Sequence, residues 1–232
     1  MTQLLNSFGQ PVGPPVENWT ARPLPPLTPM EGRYCRLEKL DPGKHAAALY
    51  AEYAKAPDGR DWTYLPRRAV ETMEDYAAWA RDNAVLNDPL HFTVLVDGIP
   101  LGTLAHMRID PANGVIEVGG IMYAPALQRT RAATEAVYLM MRRAFDELGY
   151  RRHEWKCDAL HAGSRAAAAR FGFRFEGIFR QAVVTKGRSR DTAWYAVTDQ
   201  EWPTLRGAFE QWLSPDNFDQ HGRQRRALAS FR

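Results

Sequence analysis

The chain has 232 residues, of which 45% are hydrophobic and 25% charged, a composition typical of a soluble globular protein with a sizeable core. The net charge is only +3, no apolar run approaches the roughly 18 residues that span a bilayer, and two cysteines cannot build a disulfide framework. We therefore expect a cytoplasmic protein without a membrane or nucleic-acid partner, and we interpret the basic cluster Arg223, Arg225 and Arg226 as a solvated helix face.

Residues 1–31 form a segment whose prolines, from Pro11 to Pro29, predict an extended arm without regular hydrogen-bonded ladders. Phe8 and Trp19 indicate that this arm packs over the rest of the chain. We predict a folded domain over residues 32–200, followed by a helix and a polar tail over 201–232.

The first half of the domain is predicted to contain two capped helices and a run of strands. Residues 34–40 alternate like a strand, and Asp41-Pro42 supplies an N-cap followed by proline at the first helical position of a helix that reaches Ala54. Thr72 and Asp75 have the spacing of a capping box and begin a second helix. Three strands follow as an antiparallel meander over 91–96, 101–109 and 115–123, with turns at Asp97-Gly98 and Asn113-Gly114.

The second half begins with the clearest helix, in which apolar residues recur at helical spacing from Val137 to Leu148 before Gly149. A strand over 153–157, a helix over 164–171, strands over 174–179 and 192–197, and a helix over 200–213 complete the order. The strand–helix–strand unit implies a parallel pair with a right-handed crossover. The fold class is therefore α+β, with a mixed, mostly antiparallel sheet, a central parallel strand pair and helices on both faces.

The segment Gln128 to Ala136 joins a strand directly to that helix, and the free N–H groups and dipole of a helix start suit an anion. It resembles the pattern Gln/Arg-x-x-Gly-x-Gly/Ala with which the GNAT superfamily of N-acetyltransferases, in particular its RimJ/RimL-like branch, cradles the pyrophosphate of coenzyme A. Gln128 and Ala133 match the ends of that pattern. The resemblance implies a GNAT domain over 32–200, acetyl-CoA as co-substrate, and coenzyme contacts from Gln128, Arg129, Thr130, Arg131, Ala132, Ala133 and Thr134.

Three positions depart from common patterns of the superfamily. Arg131 stands where glycine is usual; either it points into solvent from an ordinary backbone, or its guanidinium pairs with a coenzyme phosphate. The segment Ala169 to Gly177 resembles the passage from helix to strand that the family usually precedes with Asn-x-x-Ser. Ser164 matches the serine, which implies a further coenzyme contact, whereas His161 replaces the asparagine. Phe171 lies in the helix from which many members supply a tyrosine.

The implied reaction is direct attack of a neutral amine on the thioester, which requires a proton acceptor. The resemblance points to Glu117, which lies on the strand that lines the family's cleft and has Ile116 and Val118 on the opposite face. A surface or salt-bridged glutamate is the alternative interpretation. Asp158 and His161 are competing bases, and a water relay would need no dedicated residue.

The other two requirements are an oxyanion donor and protonation of the departing thiolate. The resemblance implies a backbone N–H of Met122 or Tyr123 as the donor. Ser164 is the available acid in place of a tyrosine, with helix capping as its alternative role, although a thiol with a pKa of about 8.5 needs no acid. Cys157 is expected to be a small buried residue and not an acyl carrier.

Trp62 and Tyr64 lie between the first two helices, where the family binds its acceptor, so we expect them to contact the substrate; packing against the core is the alternative. The histidines show no metal-ligand spacing, and no metal is expected. We expect an N-acetyltransferase that acts on a protein N-terminus or a small amino compound, with a homodimer as one possible assembly. The alternatives are a detoxifying small-molecule acyltransferase and a non-catalytic acyl-CoA-binding module.

Overall fold

The computed structural model describes residues 4–69 and 71–232. Its strands are β1 Met30–Glu31, β2 Arg36–Lys39, β3 Leu90–Val96, β4 Ile99–Asp110, β5 Val115–Tyr123, β6 Arg152–Asp158, β7 Arg174–Thr185 and β8 Arg188–Thr198. Its α-helices are α1 Pro42–Tyr53, α2 Met73–Ala84, α3 Arg131–Arg142, α4 Ala162–Phe171 and α5 Trp202–Trp212.

These strands form one mixed sheet in the order β1-β2-β3-β4-β5-β6-β8-β7. Within the described ranges, β5 and β6 are the parallel neighbours and the other adjacent pairs are antiparallel. One face packs against α1 and α2 through a cluster around Leu49 and Tyr76, and the other packs against α3, α4 and α5 through a larger cluster around Phe92 and Phe209. The predicted α+β class, parallel pair and helices on both faces are confirmed.

The helix starts follow the predicted capping chemistry. Asp41 Oδ1 accepts hydrogen bonds from the N–H groups of Gly43 and Lys44 at 3.0 and 3.3 Å. Thr72 Oγ1 accepts from Asp75 N–H at 3.1 Å and donates to the Asp75 carboxylate at 2.7 Å. Each cap satisfies donors that have no partner within the helix.

Two elements differ from their predicted extent. The end of the α3 segment widens into a π-helical turn over Arg143–Glu147, in which Leu148 N–H donates to Arg143 O at 3.1 Å, five residues back. The β7–β8 hairpin is longer than predicted because both strands continue to the turn at Lys186-Gly187, with a shift of register between Phe179 and Val183.

The N-terminal arm lies against the β4–β5 turn. Trp19 Nε1 donates to Ala112 O at 2.8 Å, and Tyr150 Oη donates to Pro23 O at 3.1 Å. Phe8 is 85% exposed, so the prediction that it packs is wrong. Residues 1–3 of the arm lie outside the described residues.

The C-terminal segment is folded against the domain. The predicted helix after residue 200 is α5, and beyond it the side chains of Phe218 and Leu228 are buried. The basic cluster Arg223, Arg225 and Arg226 lies in a loop, so the prediction of a helix face is wrong. Across residues 4–69 and 71–232, none of the helices is long and apolar enough to cross a membrane.

Candidate active site

The site originates where β5 and β6 separate. Among the described residues, the two strands pair only between Val115–Glu117 and Arg152–Glu154, although β5 continues to Tyr123 and β6 to Asp158. Gly120, in the unpaired part of β5, has a φ of +58°, a conformation that favours glycine. The separation leaves backbone polar groups along the gap without strand partners, and a bound molecule can use them.

A cavity of about 1300 Å³ opens along this gap. Its walls are the end of β5, the start of α3, part of α4, the loop before α2 and the segment after α5. The residues predicted from the sequence that line it are Trp62, Tyr64, Met122, Tyr123, Gln128, Arg129, Thr130, Arg131, Ala133, Thr134 and Ser164. Ala132 and Glu117 are not part of the lining.

The start of α3 presents free donors to this cavity. Thr130 is the N-cap: its Oγ1 accepts from Ala133 N–H at 3.1 Å and donates to Leu127 O at 2.7 Å. The N–H groups of Arg131 and Ala132 donate to no backbone acceptor in the part of the chain that the structure describes. Free N–H groups at the positive end of a helix dipole are suited to an anionic ligand.

Arg131, which stands where the family pattern has glycine, has an ordinary backbone conformation. The positive φ, +61°, falls on Arg129, whereas Arg131 is the first helical residue. The guanidinium carbon of Arg131 lies 4.2 Å from the ring centroid of Tyr34 and 5.5 Å from that of Phe218. Arginine at 131 therefore keeps its charge on aromatic faces at the edge of the cavity.

Five arginines of the described ranges line the cavity. Arg60 is paired with Asp58, and the other four give one end of the cavity a positive charge: Arg129, Arg131, Arg170 and Arg223. Among the described residues, none of these four forms an ion pair with a carboxylate. Arg170 Nη1 donates to Thr134 Oγ1 at 3.0 Å. Burial lowers the pKa of Arg170, and the positive charge of the nearby Arg232 lowers it further. A partly buried cation without a counter-charge is stabilised by an anionic ligand.

The aromatic residues predicted to contact the acceptor occupy another wall. Trp62 is buried edge-to-face against Tyr53, with ring centroids 6.3 Å apart. Tyr64 stacks on His161 at 4.6 Å and an interplanar angle of 20°. Lys186, at the tip of the β7–β8 hairpin, donates through Nζ to Trp62 O at 2.6 Å. These aromatics pack internally and also line the cavity, and their contact with the acceptor stays a prediction.

Gln128 connects the loop before α3 with this aromatic wall. Its Nε2 donates to Asp61 Oδ2 at 2.9 Å and to Tyr123 O at 3.0 Å. Asp61 lines the cavity and places a carboxylate beside the end of β5. Asp61 is not among the residues predicted from the sequence, because its partner Gln128 is 67 residues away in the chain and no local signal marks the contact.

His161 and Ser164 organise the start of α4. His161 Nδ1 accepts from Ser164 N–H at 3.4 Å, so imidazole takes the capping role, and burial lowers the pKa of this ring. Trp155 Nε1 donates to Ser164 Oγ at 3.0 Å, which leaves the serine proton free for another acceptor. Burial raises the pKa of the Cys157 thiol, which disfavours a thiolate nucleophile. Within residues 4–69 and 71–232, no three His, Cys, Asp or Glu side chains are grouped as metal ligands.

Glu117 lies on β5 outside the cavity lining. Its Oε2 is 3.0 Å from Lys156 Nζ and 3.1 Å from Arg108 Nε, and Lys156 Nζ is also 2.6 Å from Glu154 Oε2. Burial raises the pKa of Glu117, and Lys156 opposes that shift. The role of Glu117 as proton acceptor stays a prediction, and a proton from the cavity would have to reach it through water.

The family profile described as "Acetyltransferase (GNAT) domain" matches residues 35–174. The chain therefore belongs to the GNAT family of acetyltransferases, and the predicted fold and enzyme class are confirmed. It is similar to the crystal structure of a GCN5-related N-acetyltransferase from Brucella melitensis, with 48% identity, a TM-score of 0.91, and coverage of 93% of this chain and 99% of that one.

Two further relatives agree with this family. A solved structure from Chromobacterium violaceum ATCC 12472, described as one of the "probable acetyltransferases (GNAT family)", has 39% identity and a TM-score of 0.78, covering 84% of this chain and 98% of that one. A Bacillus subtilis (strain 168) protein named "Putative ribosomal N-acetyltransferase YdaF" is 28% identical over 124 residues, which are 53% of this chain and 67% of that protein.

Proposed function

We propose that this enzyme transfers the acetyl group of acetyl-CoA to a primary amine, on a protein N-terminus or a small amino compound, by direct attack of the neutral amine on the thioester. The observation that carries the proposal is a single cavity with two unlike ends. One end, the charged end, has the free N–H groups of α3 and the arginines Arg129, Arg131, Arg170 and Arg223. The other end, the acceptor end, has the aromatic wall and the carboxylate of Asp61.

The charged end suits the phosphates of the coenzyme, because arginine forks and a helix start both bind phosphate oxygens. The pantetheine arm then follows the gap between β5 and β6 and brings the thioester to the end of β5. There, a backbone N–H of Met122 or Tyr123 would stabilise the oxyanion. Ser164 Oγ accepts from Trp155 and keeps its own proton available for the departing sulfur.

The acceptor end suits an ammonium group. Asp61 supplies a negative charge that Gln128 holds in place, and Trp62 and Tyr64 supply apolar contact area beside it. The Bacillus subtilis relative is named a "Putative ribosomal N-acetyltransferase", which favours a protein acceptor over a small amino compound. The free, buried thiols of Cys35 and Cys157 support a reducing compartment such as the cytoplasm.

Proton removal from the bound ammonium would run through water to Glu117. Burial raises the pKa of this carboxyl group above its ordinary value, which makes it a stronger base than an exposed carboxylate. The ion pairs with Lys156 and Arg108 keep it oriented.

An amine panel tests the reaction. Acetyl-CoA would be incubated with peptides bearing free or blocked N-termini and with small primary amines, while release of the coenzyme thiol is followed. Turnover restricted to free amines supports the proposal. Binding of acetyl-CoA without turnover on any amine would instead favour an acyl-CoA-binding module.

Thermal unfolding locates the coenzyme. Acetyl-CoA at about 100 times its Kd should raise the Tm by roughly 5–10 °C. Ala132→Asp places a negative charge in the first turn of α3, where it opposes phosphate binding at the helix start, and should abolish that rise. Ala132→Asn, which is similar to aspartate in shape but neutral, should keep most of it. If both variants respond to acetyl-CoA as the wild type does, the phosphates bind elsewhere.

A further inference from the structure

One wall of the cavity is built by the last residue of α5, Trp212, and by the segment that follows it. Phe218, Gly222, Arg223 and Gln224 of that segment line the cavity. These residues lie beyond the matched family domain, which ends at residue 174. The sequence predicts only a polar tail here, yet this segment forms part of the site.

The wall is ordered by contacts within the protein. Asn217 is buried; its Nδ2 donates to Trp212 O at 3.0 Å and to Arg226 O at 3.2 Å, and its Oδ1 accepts from Arg226 N–H at 3.0 Å. Trp212 Nε1 donates to Gln224 Oε1 at 2.9 Å. One asparagine thus holds both ends of the loop from 212 to 226, so the loop needs no ligand to take its shape.

Asp219 fixes Arg223 through its backbone and leaves its guanidinium free. Arg223 N–H donates to Asp219 Oδ1 at 2.9 Å, and Arg223 O accepts from Asp219 N–H at 3.0 Å. The Asp219 carboxylate therefore holds the main chain of the turn. In the described part of the protein, the Arg223 guanidinium has no carboxylate within ion-pair distance.

The end of α4 brings a second cation to this wall. The guanidinium carbon of Arg170 lies 5.0 Å from the ring centroid of Trp212. Arg232, near the end of the chain, donates to the carbonyl groups of Ala169 and Arg170. The C-terminal segment and the last turn of α4 are therefore joined, and each presents an arginine to the cavity.

We infer that Arg223, together with Arg170, binds the 3′-phosphate of coenzyme A, which makes the C-terminal segment part of the coenzyme site. The inference rests on the proposed function. With the pyrophosphate at the start of α3 and the thioester in the β5–β6 gap, the adenosine end must leave in the other direction. The remaining cationic wall is that of α4 and the C-terminal loop. A dianionic phosphate is the group on that end which a guanidinium fork recognises.

Dephospho-coenzyme A, which lacks only the 3′-phosphate, is the probe. The Kd values of coenzyme A and dephospho-coenzyme A would be measured by calorimetry for the wild type, Arg223→Gln and Arg225→Gln. Arg225 is an exposed arginine of the same loop that does not line the cavity. We expect the wild type to prefer coenzyme A by about tenfold or more, and Arg223→Gln to lose most of that preference by weakening coenzyme A alone. Arg225→Gln should keep it.

Equal weakening of both ligands in Arg223→Gln would overturn the inference, because it would show a general effect on the loop. An unchanged Kd for both ligands would overturn it as well. Arg170→Gln provides a second test, since it should also weaken coenzyme A selectively. The proposed function fails separately if the wild type binds neither ligand.

Discussion

Replacing Glu117 by glutamine tests the proton path while keeping the size of the side chain. Glutamine can donate and accept hydrogen bonds but cannot take a proton from the amine at neutral pH. General-base assistance is typically worth about 10²–10⁴ in rate, and since this path runs through water, we expect the lower end. The kcat should fall by about a hundredfold, with the Kd for acetyl-CoA unchanged.

The same substitution should preserve the fold, which separates chemistry from folding. Lys156 keeps Glu154 at 2.6 Å, so no buried cation loses its last carboxylate. Because the pKa of Glu117 is raised, burial disfavours its charge by more than Lys156 and Arg108 favour it. A neutral amide removes that net cost at neutral pH, so the Tm should change by less than about 4 °C. Lys156→Met, which leaves two buried carboxylates without their shared cation, should instead cost about 2–3 kcal/mol.

The assay is steady-state thiol release over neutral to alkaline pH. The variant should recover part of its activity as the pH rises, because solvent then supplies the neutral amine. Full activity with an unchanged pH–rate profile would refute the assignment and reduce Glu117 to an ion-pair partner. His161 and Asp158 would then be tested as proton acceptors.

Three further outcomes are expected. Trp62→Ala should raise the KM for the amine by about tenfold and leave that for acetyl-CoA nearly unchanged; a matched rise in both, or unfolding, would make Trp62 a core residue only. Lys186→Met removes the hydrogen bonds to Trp62 O and Thr63 O and should raise the same KM severalfold, whereas Lys186→Arg should be milder; equal kinetics in both variants would refute this anchoring role. Burial lowers the pKa of His153 to about 3 from 6.5, so below pH 6.5 the unfolded chain takes up a proton that the folded protein refuses. This residue should contribute about 1.4 kcal/mol per pH unit to the fall in stability, beside His91 and His106, whose pKa values burial also lowers. Urea unfolding of His153→Phe should show a shallower fall, and an identical slope would exclude His153 as its source.

Features decided by neighbours in the chain could be predicted from the sequence. Asp41 and Thr72 cap helices with donors two or three residues away, so the signal is local. The junction before α3 combines a strand end, a capping threonine and a periodic helix, and it was recognisable for the same reason. The resemblance to a known family added the order of the elements around it.

Features decided by distant contacts could not be predicted. The ion pairs of Glu117 depend on Lys156 and Arg108, which reach it from two neighbouring strands. Asn217 stabilises the C-terminal loop through backbone groups on both sides of the loop. By composition alone this residue belongs to a polar tail, so its structural role could not be predicted. The backbone conformation expected of the glycine motif falls on Arg129, because Thr130 caps the helix and so fixes where it begins.

The short pairing between β5 and β6 has a mechanical consequence. Three register pairs join the sub-sheet β1–β5 to the sub-sheet β6–β8, at one end of the strands. Beyond these pairs, helices connect the two sub-sheets, but within the described residues β5 and β6 are not hydrogen-bonded to each other. A coenzyme bound along the gap would tie the two sub-sheets together, so amide hydrogens of residues 118–123 should exchange with solvent more slowly when it is bound. Coenzyme supply would thus control the rigidity of the sheet as well as the reaction.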